Sequence, residues 1–340
     1  MPEKNFLFRL VLALGLCLLT LPLSAHAQVT LLVPSQPNIE MPDGFKPKSE
    51  PAAAPPSAEP AAAAPAEGAR PPDANGEARG QAPSADATPD TPAGQNTRQE
   101  GPSDISEEVD LLITMMHPFA HEGLPMSMPQ LFAVLRHDAD SRREGNRRQP
   151  ERRDLLGDVE EILYLGKKAW GANVALPHPG LYQFIMETRP WWSADRERFL
   201  QHYVKAILPV YGVENGWEQP ADQRFEIIPA TRPFGLTSPC IFTGRVVAAG
   251  GKPMVDTDIT MTRINTDGRK VPTRWHENMA ARTDNNGRFA FVLNKPGWWC
   301  CEATTRGDPL KGPDGQPREL ELGALLWLYV DGDDASPRKR

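Results

Sequence analysis

The chain has 340 residues, with 37 Lys and Arg against 44 Asp and Glu, a net charge of −7. This acidic balance argues against nucleic acid as a partner. Beyond the first 27 residues no apolar run approaches the roughly 20 residues that a spanning helix needs, so no transmembrane segment is expected in the mature chain.

The N-terminus reads as a secretory signal over residues 1–27. Lys4 and Arg9 precede the apolar run Leu10 to Leu19, and Ser24-Ala25-His26-Ala27 supplies small residues for cleavage. Cleavage after Ala27 leaves small residues at both Ala25 and Ala27; cleavage after Ala25 would instead leave His26 as the first residue. The expected location is the periplasm or the medium.

Residues 28–45 contain one strand candidate, Val29 to Val33. From Lys46 to Asp104 there is no Val, Ile, Leu, Met or aromatic residue. Such a Pro/Ala-rich segment cannot bury enough apolar surface to offset its ordering entropy, so disorder is expected over 46–104. It is read as a long insertion between the first strand and the rest of its domain, because long surface loops add little closure entropy.

Domain 1 is placed at residues 105–230. It resumes with a strand at Val109 to Met115, followed by a charge-dense loop from Arg136 to Arg153 and a helical or mixed stretch from Leu155 to Lys168. Asn173 to Leu176 and Leu181 to Thr188, separated by Pro-His-Pro-Gly, predict a hairpin. Ser193 can cap a short helix from Ala194 to Leu208, where Phe199, Tyr203 and Ile207 recur every four residues, and Pro209 would end it. Arg224 to Ile228 is a further strand.

Domain 2 is placed at 231–331, with strands at Ile241 to Ala248, Thr257 to Ile264, Phe289 to Leu293, Trp298 to Thr304 and Ala324 to Val330. Period-2 alternation punctuated by Gly250-Gly251, Asp267-Gly268 and Asn286-Gly287 carries this reading. The fold class is therefore mainly β: two β-sandwich domains, the second of transthyretin or immunoglobulin-like type, with a short helix in the first. Residues 332–340 are expected to be a disordered tail.

Cys240, Cys300 and Cys301 remain after processing. Neighbouring strand residues point to opposite faces, so a disulfide would join Cys240 to Cys300 or to Cys301 but not both. Asp284-Asn285-Asn286-Gly287 lacks the alternating acids and terminal Glu of a calcium loop and reads as a turn. No nucleophile elbow, zinc-hydrolase helix or phosphate loop is present, so no enzymatic activity is expected.

The ordered strings LLITMMHPF, HPGLYQFIMETRPWW, FLQHYVKAILPVYG, FEIIPATRPFGL, FTGRVVAAGGKPM and TDNNGRFAFVLNKPGWW resemble the domain-of-unknown-function 4198 family. That resemblance implies a secreted β-rich protein associated with nickel or cobalt uptake, with membrane transporter components as partners. Members of that family commonly carry a histidine at or just after the processed N-terminus, whereas this chain has Gln28 there and His26 before it.

Within MMHPFAHEGLPMSM, His117, His121 and Glu122 are the best metal-ligand candidates for a nickel or cobalt ion, beside Met115, Met116, Met126 and Met128. The paired tryptophans Trp191-Trp192 and Trp298-Trp299 support an alternative, a noncatalytic cell-envelope module binding carbohydrate or protein by stacking, although alternation turns one ring of each pair inward.

Overall fold

The computed structural model describes residues 27–40, 107–139 and 149–332. The expected leader up to His26, the Pro/Ala-rich insertion, the middle of the charge-dense loop and the tail from residue 333 lie outside the described residues.

In chain order the first strands are β1 (Val29–Pro34), β2 (Glu107–His117), β3 (Glu122–Leu124), β4 (Leu131–His137) and β5 (Glu151–Asp154). Then come β6 (Val159–Tyr164), β7 (Lys167–Leu176), β8 (Gly180–Glu187), β9 (Trp191–Ser193) and β10 (Arg198–Val210). The second half supplies β11 (Phe225–Pro229), β12 (Leu236–Thr237), β13 (Cys240–Ala248), β14 (Lys252–Pro253) and β15 (Asp258–Arg263). It closes with β16 (Asn278–Arg282), β17 (Arg288–Leu293), β18 (Gly297–Lys311) and β19 (Pro317–Asp331).

These strands form three sheets. A ten-stranded sheet runs β16-β15-β18-β19-β10-β8-β4-β5, with β12 and β9 appended. A five-stranded sheet, β1-β2-β7-β6 with β3, packs on one face of it, and a four-stranded sheet, β11-β13-β14 with β17, packs on the other. Alternation along β19 shows how one strand serves both interfaces: Leu325 and Trp327 join the first core, while Ala324, Leu326 and Leu328 join the second. The protein is thus mainly β with a sandwich arrangement in each half. The two sandwiches share their middle sheet, which continues through the expected boundary at 230–231 because β10 and β19 pair in parallel.

Two local expectations are corrected. Ala194 to Leu208 is not a helix; Arg198–Val210 is a strand. A four-residue spacing returns to the same face of a strand as well as of a helix, and here Tyr203 and Ile207 face the second core while Val204, Ala206 and Leu208 face the first. The residues expected to form a hairpin across Pro177-His178-Pro179 belong to β7 and β8, which lie in different sheets. The Pro-rich turn therefore carries the chain from one layer to the next. The mixed stretch from Leu155 is a short 3-10 turn, Leu156–Asp158, followed by β6 and the start of β7.

The disulfide is likewise corrected, since Cys240, Cys300 and Cys301 are free thiols. Cys300 sits in the first core and Cys301 in the second, as opposite-facing neighbours must. Cys301 lies beside Met261 and Leu326 in the central sheet, whereas Cys240 opens β13 of the outer sheet opposite Leu293. Among the described residues, no helix is long and apolar enough to cross a membrane.

Candidate functional site

His117 ends β2 and is buried, with Nδ1 at 3.0 Å from the Ala27 carbonyl. The chain turns through Pro118 to His121, where His121 takes a left-handed φ of 54°, and returns as β3, so that His117 and Glu122 are cross-strand partners. Two bonds anchor this turn to the loop after β15: Asn265 N–H donates to the Pro118 carbonyl at 3.0 Å, and Asn265 Nδ2 donates to the Phe119 carbonyl at 3.0 Å. A residue near the start of the described chain and two loops about 150 positions apart therefore meet at one cleft of about 180 Å³. Ala27, His117, Thr262, Trp275 and Glu277 are among its walls.

His121 and Glu122 are not among those walls. Among the described residues no three His, Cys, Asp or Glu side chains are grouped to hold a metal, so His117, His121 and Glu122 are not brought together as a ligand set. The neighbouring methionines divide by burial: Met115, Met116 and Met126 are core, while Met128 is exposed. The carboxylate that shares the cleft with His117 is Glu277, which sequence reasoning missed because its proximity arises from sheet packing.

A second cleft of about 260 Å³ adjoins the first and shares Phe119, Trp275, Glu277 and Asn278 with it. Its remaining polar walls include Arg263, Asn265, Arg269, Asn294 and Lys295. Trp275 lies on a single 3-10 turn, Arg274–His276, and is 76% exposed. The tryptophan pairs singled out in the sequence mostly pack: Trp298 edges onto Tyr329 at 5.3 Å, Trp192 onto Phe199 at 5.3 Å, and Trp191 onto His202 at 4.7 Å. The exposed indole, Trp275, lies outside the doublets.

Further inside the molecule is a buried polar group. His202 Nδ1 lies 2.8 Å from Thr30 Oγ1, and its Nε2 lies 3.7 Å from Glu302 Oε1. Gly323 makes room for the ring, since a Cβ there would stand 2.7 Å from His202 Cδ2. Burial lowers His202 to about 3, reinforced by the Arg196 charge. Burial also raises Glu302 to about 7, with Arg196 opposing and Glu321 assisting. At 3.7 Å the two would make an ion pair only with a protonated imidazole; burial of both opposes that, and in mildly acidic solution the contact is between neutral groups.

Another buried pair, Lys205 Nζ to Glu226 Oε1 at 2.5 Å, ties β10 to β11 of the outer sheet. The Ala221 N–H also donates to that carboxylate at 2.8 Å. Asp284-Asn285-Asn286-Gly287 is the expected turn, with Asp284 Oδ1 accepting from the N–H groups of Asn286 and Arg288.

Residues 95–307 match the sequence profile of the family described as a domain of unknown function, DUF4198. No curated protein matches the chain. Among solved structures, the major pilin subunit of Bacillus cereus aligns at 10% identity over 66% of this chain and 63% of the pilin, with a TM-score of 0.16. The chain thus spans less than two thirds of that pilin's length, and a likeness this weak carries no argument.

Proposed function

Starting from the fact that the chain belongs to the DUF4198 family, we propose that it is a noncatalytic extracytoplasmic accessory protein of nickel or cobalt uptake, holding the divalent metal at the His117 cleft and delivering it to transporter components. The observation that carries this reading is the 3.0 Å contact between His117 Nδ1 and the carbonyl of Ala27, the residue at which the leader is expected to be cut. Cleavage there would create a free amine at Gln28, one bond from that carbonyl; cleavage after Ala25 would keep His26 and Ala27 ahead of it. Amine and imidazole nitrogens are good donors for nickel, and the Glu277 carboxylate on the same cleft adds an oxygen. These donors fit a divalent transition ion better than the sequence triad does, since His121 and Glu122 lie off the cleft.

The test is calorimetric titration of chains beginning at Gln28 and at His26 with Ni²⁺, Co²⁺ and Cu²⁺, beside His117→Ala and His121→Ala. The expected result is a Kd tighter than about 100 μM for nickel or cobalt, weakened about tenfold or more by His117→Ala and unchanged by His121→Ala. Absence of binding in both chains, or equal affinity in His117→Ala, would overturn it.

A further inference from the structure

The cleft beside Trp275 has the make-up of a ligand site in its own right. Three observations converge there. The first is the indole, 76% exposed on a turn that is itself well held: His276 N–H donates to the Thr273 carbonyl at 3.1 Å, and Glu277 N–H to the Arg274 carbonyl at 3.0 Å. The Arg274 guanidinium lies 4.9 Å from the indole centroid and steadies the ring further. An aromatic side chain of this size presented to solvent on a hydrogen-bonded turn can serve as a stacking surface.

The second is charge. In a chain of net charge −7, the walls of this cleft carry Arg263, Arg269 and Lys295 against Glu277. Arg263 is committed, donating to Asp267 at 2.6 Å and to the Pro296 carbonyl at 3.2 Å. Arg269 and Lys295 are exposed. The loop bearing Arg269 is set by Asn265, whose Oδ1 accepts the Arg269 N–H at 2.8 Å and whose Nδ2 donates to the Arg269 carbonyl at 3.0 Å. The backbone of Arg269 is thus positioned from a buried residue.

The third is the pair of carboxamides, Asn278 and Asn294, on the same walls. Each both donates and accepts, as ring hydroxyls do. A pyranose offers an apolar C–H face for the indole and an edge of hydroxyls for the carboxamides, and a carboxylate on that ring would meet Arg269 and Lys295. An acidic peptide could satisfy the cations but has no flat apolar face bordered by hydroxyls. At about 260 Å³ the cleft lies below the roughly 300–1,000 Å³ of closed small-molecule pockets, which suits one ring of a chain lying across it.

We infer that this cleft binds a uronate-bearing saccharide, with Trp275 as the stacking platform, Asn278 and Asn294 on the hydroxyls, and Arg269 and Lys295 on the carboxylate. This cleft adjoins the His117 cleft and shares Trp275, Glu277 and Asn278 with it, so chelator in every titration keeps saccharide binding apart from metal binding. The probes are trigalacturonate, neutral maltotriose and a poly-glutamate peptide, titrated by calorimetry and by tryptophan fluorescence.

Trigalacturonate should bind with a Kd of about 1 mM or tighter, and more weakly at higher salt. Trp275→Ala should weaken it about tenfold, with Trp275→Phe retaining part of the affinity. The Arg269→Ala, Lys295→Ala double variant should bind trigalacturonate no better than maltotriose. These side chains are surface groups, so unchanged melting temperatures for their variants will show that the fold is intact. No binding of trigalacturonate, binding indifferent to Trp275→Ala, or tighter binding of the peptide would each overturn the inference.

Discussion

His202 and Glu302 show how two buried groups can give stability opposing pH dependences. Glu302 is raised from its ordinary 4.5 to about 7, so between those values the folded chain holds a proton that the unfolded chain has lost, and stability falls as pH rises through that window. His202 is lowered from 6.5 to about 3, so between those values the unfolded chain holds the extra proton, and stability rises with pH. The two nearly cancel from about 4.5 to 6.5, leaving a rise below that window and a fall above it. Glu302→Gln should abolish the fall and melt higher than the parent at pH 8, by up to about 3 kcal/mol in stability. A melting curve against pH for parent and variant checks this, and equal pH dependence would contradict it. Gly323→Ala should cost about 1–3 kcal/mol in chemical denaturation, because the new methyl would press on His202.

At the scale of elements, β1 connects the layers. Its Thr30 carbonyl accepts from Trp327 Nε1 at 2.8 Å, its hydroxyl meets His202, and Leu32 is fully buried. Leu32→Ala should cost about 2–5 kcal/mol, read from the denaturant midpoint. Thr30→Val keeps the shape but removes the hydroxyl facing His202, and should cost about 1 kcal/mol. Strands with one wet face, such as β17 with its strict buried-exposed alternation, were legible in the sequence. β10 was not, because both its faces are buried and its apolar spacing suits either regular structure. His117 was legible as a candidate from its neighbours. Ala27 and Glu277, which share its cleft, were not: the pairing of β1 with β2 carries Ala27 to His117, and only the packing of β2 against the loops around β15 and β16 brings Glu277 near. Trp275 stood alone in a polar loop, a signal weaker in the sequence than the doubled tryptophans that turned out to pack.

For the molecule as a whole, one shared middle sheet makes the two halves a single mechanical unit. Thermal unfolding should show one transition by near-ultraviolet and far-ultraviolet circular dichroism; two separated transitions would mean that the sandwiches melt independently. With Cys240, Cys300 and Cys301 all free, adding a reductant should leave the melting temperature unchanged. In a thiol-reactivity assay Cys240 should react before Cys300 and Cys301, which burial shields and whose thiols burial raises well above the usual range.

The parallel pairing of β10 with β19, and the bond from Trp327 to Thr30, also set a timetable. Contacts joining residue 30 to residue 327 have nearly the largest sequence separation the chain allows, so the loop-closure entropy falls due before most of the core can form. A chain emerging from a ribosome must keep its first strand waiting until the last one arrives. During that wait the apolar face that β1 and β2 turn toward the central sheet is uncovered, which makes the interval before closure the period of greatest exposure to aggregation.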